Sequence, residues 1–183
     1  MTPTLETSPA LAALIRALDA AVHAAPRTPA AVAAALQGHL GDPTLLAPRH
    51  RRSAADGYRT NVVHTAPDGS FSLVALVWRP GQRTSVHSHR SWCVVGVHEG
   101  VEEERSFTRV RSEVGDALQV AEVRQYPAGS ITWLATEEEI HDVTNVGDSV
   151  AVSLHVYGLD YRDHGSSILE TFDLPILEPV RAG

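Results

Sequence analysis

Residues 81–100 read GQRTSVHSHRSWCVVGVHEG and contain the most informative pattern in the chain. The pattern is G-x5-H-x-H-x3-C-x6-G, in which His87 and His89 stand two residues apart and Cys93 follows. Residues two apart on a β-strand point to the same face of the sheet, so His87 and His89 can bind one ion together. The stretch therefore predicts a strand that carries metal ligands.

A third histidine, His141, begins an H-x3-N pattern that ends at Asn145. Three neutral imidazoles leave a divalent ion with its full charge and with open coordination positions, which suit anionic ligands and O2. Fe(II) is the natural ion for such a site, although three-histidine sites also hold zinc. An isolated histidine is more often a surface or hydrogen-bonded core residue, but the combined pattern favours one Fe(II) per chain, bound by His87, His89 and His141.

In the run from Val150 to Tyr157, apolar and polar residues alternate from Val152 onward. Ser153, His155 and Tyr157 share one strand face, and the valines and the leucine occupy the other. This order predicts a polar pocket face, and the alternative is a strand edge that faces solvent. The order does not fit a hydrolytic triad, because the nucleophile elbow and the separated acid are missing.

These motifs resemble those of the cupins, and within the cupins they are similar to the cysteine dioxygenase family of thiol dioxygenases. In the common cupin pattern a glutamate ligand occupies the position of Cys93. The similarity extends from about Tyr58 to Tyr157. It implies a jelly-roll β-barrel, a bound Fe(II), and an enzyme that adds O2 to a small carboxylated thiol, 3-mercaptopropionate-like or cysteine-like, to give a sulfinic acid.

The resemblance also implies roles for particular residues. Ser153 is expected to fix the tautomer of His155, which orients the catalytic hydroxyl of Tyr157. In animal members of the family, the cysteine matching Cys93 forms a thioether with the tyrosine matching Tyr157. Trp92 and the short loop before Cys93 are instead similar to bacterial 3-mercaptopropionate dioxygenases, which carry glycine there. The crosslink and a plain buried cysteine therefore both stay open.

The residue that would bind the carboxylate of the substrate departs from the family pattern. Relatives carry arginine or glutamine two residues after the tyrosine that matches Tyr58, whereas this chain has Thr60. Arg59 is adjacent, but its side chain points to the other face of a strand. A bidentate partner for a carboxylate then has to come from elsewhere in the chain. The candidate substrate contacts are Tyr58, Thr60, Arg59, Arg162, Arg83 and Trp92, with Arg162 first and Arg83 second as the cation.

The rest of the chain predicts a mainly β fold with an N-terminal pair of α-helices. Residues 1–50 form the helical segment and residues 51–183 the cupin domain, as one domain overall. The helices begin at Ser8 and Thr28, each followed by proline, and Gly41 is expected to cap the second. The tail beyond Gly158 is expected to be irregular. The predicted strands are Phe71–Trp78, Cys93–Val97, Arg105–Arg111, Ala117–Tyr126 and Val150–Tyr157.

Composition favours a small soluble enzyme. The chain has 183 residues, a formal net charge of −7 and 43% hydrophobic residues. The acidic balance argues against nucleic acid as a partner, and no apolar run suits a membrane. The single cysteine favours a reducing cytoplasm. We expect a monomer or small homo-oligomer. The alternatives are a cupin metalloenzyme for a non-thiol substrate and a non-catalytic metal- or ligand-binding cupin.

Overall fold

The computed structural model describes residues 7–26, 28–113, 115–134 and 139–177. The helices are α1 (Pro9–Val22), α2 (Pro29–Gln37) and α3 (Tyr161–His164), with a short 3-10 helix at Pro48–Arg51. The strands are β1 (Arg59–Thr65), β2 (Ser72–Trp78), β3 (His87–His89), β4 (Cys93–Glu99), β5 (Val101–Val110), β6 (Ala117–Pro127), β7 (Ile131–Leu134), β8 (Ile140–Asn145), β9 (Ala151–Tyr157), β10 (Ile168–Thr171) and β11 (Ile176–Leu177). Within these ranges no helix combines the length and apolarity needed to cross a membrane.

The strands form two sheets that share one interior. The five-stranded sheet has the order β1-β2-β9-β4-β7, and the six-stranded sheet has the order β10-β3-β8-β5-β6-β11. Buried Trp78, Cys93 and Tyr157 of the five-stranded sheet belong to the same core cluster as Val143 of the six-stranded sheet. Sheets that curl around a common interior form a jelly-roll barrel. The predicted mainly β cupin fold with two N-terminal helices is therefore confirmed.

The glycines that bound the first motif explain its spacing. Gly81 and Gly100 have φ angles of +76° and +80°, which side chains other than glycine rarely adopt. A Cβ atom at Gly100 would also lie 2.7 Å from the Cβ of Ala151. The first turn leads toward β3, and the second joins β4 to β5. The glycines thus fix the two ends of the segment that carries the histidine pair.

The two N-terminal helices form a layer on the outer face of the five-stranded sheet. The side chain of Ser8 caps α1 by accepting the N–H of Leu11 at 3.1 Å, and that of Thr28 caps α2 by accepting the N–H of Ala31 at 3.2 Å. Both helix starts are as predicted. Leu14 and other apolar residues of the helices share a core cluster with the outward-facing residues of the sheet.

The second helix ends earlier than predicted. Its last residue is Gln37, and Gly38, rather than Gly41, occupies the C-cap. Gly41, with φ of +79°, lies in the following turn, where its N–H donates to Nδ1 of His98 at 3.1 Å. That turn lets Leu40 pack against the core beyond the end of the helix.

Strand β9 is the central element of the site. All seven of its residues are buried, and it pairs with β2 on one side and β4 on the other. Ser153, His155 and Tyr157 face the barrel interior, while Leu154 and Val156 belong to the cluster shared with the helices. The alternation seen in the sequence thus separates a polar interior from an apolar layer.

The chain beyond Gly158 is more regular than predicted. Strand β10 pairs antiparallel with β3, and Ile168 lies opposite His89. Backbone hydrogen bonds from Arg90 N to Ser167 O and from Phe172 N to Val86 O flank this ladder, at 2.8 and 2.9 Å. Without β10, the backbone N–H and C=O groups along one edge of the short strand β3 would lack partners, and the pairing supplies them. The prediction of an irregular tail was therefore wrong, and the tail contributes residues to the site.

Candidate metal centre and substrate pocket

Three buried histidines converge inside the barrel. Strand β3 supplies His87 and His89, and β8 supplies His141 directly opposite His87. Each residue is at most 4% exposed, and the candidate ligand nitrogens all lie within 4.8 Å of one another. Imidazoles gathered this closely from two strands form a group that could bind a metal ion.

The hydrogen bonds of the outer ring nitrogens are consistent with this function. His87 Nδ1 donates to the carbonyl oxygen of Ser85 at 2.9 Å, and His141 Nδ1 lies 2.5 Å from Oε1 of Glu104. Donation from Nδ1 leaves a lone pair on Nε2 of each ring. Nε2 of His89 and Nε2 of His141 are only 3.0 Å apart. The two nitrogens are therefore close enough to face a single metal ion.

Burial keeps the metal-binding form of the rings available. It lowers the pKa of His87 to about 4 and that of His89 to about 2, and in both cases the nearby His141 adds to the effect. Both imidazoles are therefore neutral at neutral pH. A metal ion would displace no proton from them, which favours binding.

A buried ion-pair network lies next to the third histidine. Asp142 is completely buried, and Arg105 binds it through Nε, 2.9 Å from Oδ1, and through a second, very short contact to Oδ2. Arg83 adds a contact from Nη2 to Oδ2 at 3.2 Å. Hydrogen-bonded charge of this kind holds a strand in one position. The network therefore fixes the position of β8, the strand that carries His141.

A chain of hydrogen bonds runs along the inner face of β9. Nε1 of Trp78 donates to Oγ of Ser153 at 3.2 Å, Ser153 Oγ lies 2.9 Å from Nε2 of His155, and His155 Nδ1 lies 3.1 Å from Oη of Tyr157. Burial, with smaller contributions from His141 and His87, lowers the pKa of His155 to about 3. His155 is thus a neutral link between two hydroxyl groups.

The three histidines open onto a small cavity of about 30 Å³. His155 and Tyr157 also line it. Its remaining lining consists of hydroxyl, aromatic and aliphatic side chains, and neither an arginine nor a carboxylate is among the described lining residues. The arrangement offers a metal centre, a phenol and an otherwise uncharged wall to a small molecule.

Two of the predicted substrate contacts line this cavity. The ring of Tyr58 stacks on Trp78 with 4.6 Å between centroids, and Thr60 lies on β1 beside Leu76 of β2. Tyr161 lines the same cavity, and Thr60 is near enough to its phenol to oppose the rise in pKa that burial causes. The structure therefore brings Tyr58 and Thr60 to the predicted metal site.

The arginines considered as carboxylate partners lie outside the described lining of the cavity. Arg59 is exposed at the start of β1. Arg162 is bound to Asp160, with Nε 3.0 Å and Nη2 2.5 Å from the carboxylate oxygens. Arg83 contacts Asp142. Each paired guanidinium thus has a carboxylate already.

Trp92 also lies away from the cavity lining. Its indole packs so closely on Gly158 that a Cβ atom there would lie 2.1 Å from Nε1 of Trp92. Gly158 N donates to the carbonyl oxygen of Trp92 at 3.1 Å. Trp92 thus joins the start of β4 to the end of β9.

Several residues of the site were missed from the sequence, and three of them have a clear place in it. Glu104 contacts His141, Trp78 begins the hydrogen-bond chain, and Tyr161 lines the cavity. The only sequence signal for Glu104 was its place in the acidic run 102–104, where alternation puts Glu102 and Glu104 on one face.

Comparisons with known proteins include a match to one family. The family model described as cysteine dioxygenase type I matches residues 4–164. A Klebsiella pneumoniae protein with a double-stranded β-helix domain is 19% identical, with a TM-score of 0.48 over 60% of this chain and 78% of that chain. A recombinant oxalate oxidase in complex with glycolate is 19% identical, with a TM-score of 0.47 over 66% and 62% of the two chains.

An oxalate decarboxylase from Lactobacillus farciminis, in a formate complex, is 16% identical, with a TM-score of 0.46 over 58% of this chain. The match spans only 30% of that longer protein. These structural likenesses are weak, whereas the family model covers most of the sequence and includes every histidine of the candidate centre. The chain belongs to the cysteine dioxygenase type I family.

Proposed function

We propose that the protein is an Fe(II)-dependent thiol dioxygenase that adds both atoms of O2 to the sulfur of a small thiol. The reaction RSH + O2 → RSO2H is balanced, because sulfur is oxidised by the oxygen that it takes up and the product is a sulfinic acid. The observation that carries the proposal is the convergence of His87, His89 and His141 in a pocket that Tyr157 also lines. Membership of the dioxygenase family supports it.

The three histidines are the proposed ligands. Fe(II) bound there would offer open coordination positions to the thiolate and O2 and would pass electrons from sulfur, which is their source, to O2. The protein contributes neutral rings, because burial holds the pKa of His87 and His89 well below 7. Glu104 and the Ser85 carbonyl orient the rings from behind.

The hydrogen-bond chain on β9 is proposed to position the hydroxyl hydrogen of Tyr157. Trp78 Nε1 can only donate, so it occupies a lone pair of Ser153 and leaves the serine hydroxyl hydrogen for Nε2 of His155. Nδ1 of His155 then carries the hydrogen and donates to Tyr157 Oη. The phenol hydrogen is left to point into the pocket, where it can donate to the substrate or to oxygen.

The walls of the pocket are proposed to keep water from the reacting sulfur. Leu76, Val143 and Ile168 supply aliphatic surface around the histidines. Burial raises the pKa of Tyr157 well above its ordinary value, so the phenol stays protonated at neutral pH. Hydrogen bonds are stronger in such a dry site than in water.

Iron analysis and oxygen consumption test the proposal together. The purified protein should contain about one iron per chain and should consume O2 with a small thiol, releasing the sulfinic acid, which mass spectrometry identifies as the thiol plus two oxygen atoms. His87→Ala, His89→Ala and His141→Ala should each lose activity and most of the iron. His164→Ala, an exposed histidine of α3, is the matched control and should keep both.

Two results would contradict the proposal. Full iron content in two of the three variants would remove the ligand assignment. An iron-loaded protein that consumes no O2 with any member of a broad panel of thiols would remove the reaction.

A further inference from the structure

The cavity wall beyond the histidines is built from neutral groups. Tyr58 and Tyr161 present phenols, Thr60 presents a hydroxyl, and Leu76 and Ile168 present aliphatic surface. Burial raises the pKa of both phenols, so they are uncharged at neutral pH. Thr60 acts on the pKa of the Tyr161 phenol, so the two side-chain oxygen atoms lie at the same part of the wall.

Two candidate cations, Arg162 and Arg83, are held elsewhere by acids. Arg162 is bound to Asp160 through two nitrogen atoms, and Arg83 contacts the buried Asp142. Moving either guanidinium into the cavity would break these contacts, and for Arg83 it would also disturb the network behind His141. Among the residues that the structure describes along the cavity, none carries a guanidinium or a carboxylate.

This wall discriminates by charge. A carboxylate moved from water into the cavity loses its hydration and meets no cation there except the proposed metal ion. An ammonium group meets no carboxylate and lies near a divalent centre that repels it. An uncharged tail loses little, and a tail hydroxyl finds hydroxyl partners on Thr60 and the two tyrosines.

We infer that the pocket selects a small thiol with an uncharged tail, with Thr60, Tyr58 and Tyr161 as the residues that determine this specificity. The inference rests on the proposed dioxygenase function and specifies its substrate class. It differs from the carboxylated thiol that the family resemblance implies, because Thr60 stands where relatives carry arginine or glutamine.

Matched thiols that differ only in the tail group test the inference. The probes are 2-mercaptoethanol and 1-propanethiol as uncharged thiols, 3-mercaptopropionate and L-cysteine as carboxylated thiols, and cysteamine as a cationic thiol. With the iron-loaded protein, 2-mercaptoethanol should have a kcat/KM at least about tenfold above that of 3-mercaptopropionate. Calorimetric titration without O2 should give the same order of Kd, independently of turnover.

Replacing Thr60 with arginine gives a gain-of-function test. Thr60→Arg should raise kcat/KM for 3-mercaptopropionate at least about tenfold and should lower it for 2-mercaptoethanol, because a guanidinium then faces the cavity. Val62→Arg, at an exposed position on the same strand, is the matched control and should change neither value. Arg162→Ala should also leave the kinetics for 3-mercaptopropionate unchanged.

A second variant covers the case in which Thr60→Arg does not fold. Thr60→Val is nearly isosteric and removes only the hydroxyl. It should raise KM for 2-mercaptoethanol several-fold but leave that for 1-propanethiol unchanged, since only the former has a tail that hydrogen bonds. An equal effect on the two thiols would show that the Thr60 hydroxyl does not hydrogen bond with the tail of the substrate.

The outcomes separate this inference from the proposed function. A wild-type preference for 3-mercaptopropionate or L-cysteine would overturn the uncharged tail while leaving the dioxygenase intact. A preference for cysteamine would also overturn it and would indicate that the aromatic rings bind a cation. Oxygen consumption with none of the five thiols, together with no binding, would remove the inference and count against the proposed reaction.

Discussion

Cys93 and Tyr157 lie directly opposite each other on β4 and β9, and both side chains are buried in the barrel. Directly opposed residues of an antiparallel pair have Cβ atoms roughly 4.5 to 5.5 Å apart, so the thiol and the phenol ring are neighbours. Burial raises the pKa of the Cys93 thiol well above its ordinary value. Cys93 is therefore protonated and a poor nucleophile, and a bond to the ring requires an oxidant.

We predict that turnover produces a thioether between Cys93 and Tyr157. Forming the carbon–sulfur bond removes the thiol hydrogen and one ring hydrogen, and O2 accepts the electrons. Intact-mass analysis should reveal a species lighter by two hydrogen atoms after extended turnover, and digestion should yield a linked peptide. Cys93→Ala should lack this species yet keep activity, because the phenol hydroxyl remains. A Cys93 that stays fully alkylatable after turnover would disprove the crosslink.

The contact between Glu104 and His141 predicts an effect on metal affinity. Glu104→Gln weakens the acceptor for His141 Nδ1 and should lower iron affinity by roughly 10- to 100-fold, as is usual when the hydrogen-bond partner of a ligand is changed. Competition with a chelator measures the change. Glu103→Gln is the control, since Glu103 bonds Gln125 at the surface and should have no effect. Unchanged affinity in Glu104→Gln would show that the contact does not support the ligand.

The hydrogen-bond chain predicts a loss in kcat rather than in binding. Tyr157→Phe removes the proposed donor and should lower kcat roughly 100-fold or more, with iron content retained. His155→Gln should lower kcat less, because the phenol remains but loses the link that orients it. Steady-state kinetics and iron analysis distinguish this from a structural defect. Full kcat in Tyr157→Phe would exclude the phenol from the reaction.

Glu102 predicts how stability varies with pH. It is 2% exposed, and burial raises its pKa from 4.5 to about 7. Between pH 4.5 and about pH 7 the folded protein therefore keeps a proton on Glu102 that the unfolded chain has released. Because of this difference, the contribution of Glu102 makes the free energy of unfolding fall as the pH rises through that range. Glu102→Gln should remove that loss.

Thermal unfolding of the metal-free proteins measures the effect of Glu102. The midpoint of Glu102→Gln should exceed that of the wild type more at about pH 8 than at about pH 5. The buried neutral histidines act in the opposite direction below pH 6.5, but they are common to both proteins and cancel in the difference. A difference that is the same at both pH values would refute the assignment.

Local patterns predicted the candidate centre because the three histidines that could hold a metal follow strand geometry. His87 and His89 share a face because they are two residues apart, and the same period of two revealed the polar face of β9. These predictions require only that each segment is a strand and that one of its faces lines the interior of the fold. The sequence also indicated which face of β9 lines the pocket, because the opposite face is purely apolar.

Pairings between distant segments were beyond such reasoning. The pairing of β10 with β3 joins residues about 80 positions apart, and nothing in the sequence around Ile168 identifies its partner. The acids that hold Arg83 and Arg162 were likewise unknown, so both looked available for a substrate. Side-chain charge can be read from a sequence, but whether a charge is already neutralised depends on tertiary contacts.

The two faces of β9 have a consequence for folding fidelity. A slip of one residue in its register would exchange the faces, placing Leu154 and Val156 in the pocket and forcing Ser153, His155 and Tyr157 against the helices. The slipped form would bury unsatisfied polar groups and lose its apolar layer at once, so it is heavily disfavoured. Packing of the hydrophobic layer therefore selects the correct register of β9. A chain that has folded thus has Tyr157 in the pocket.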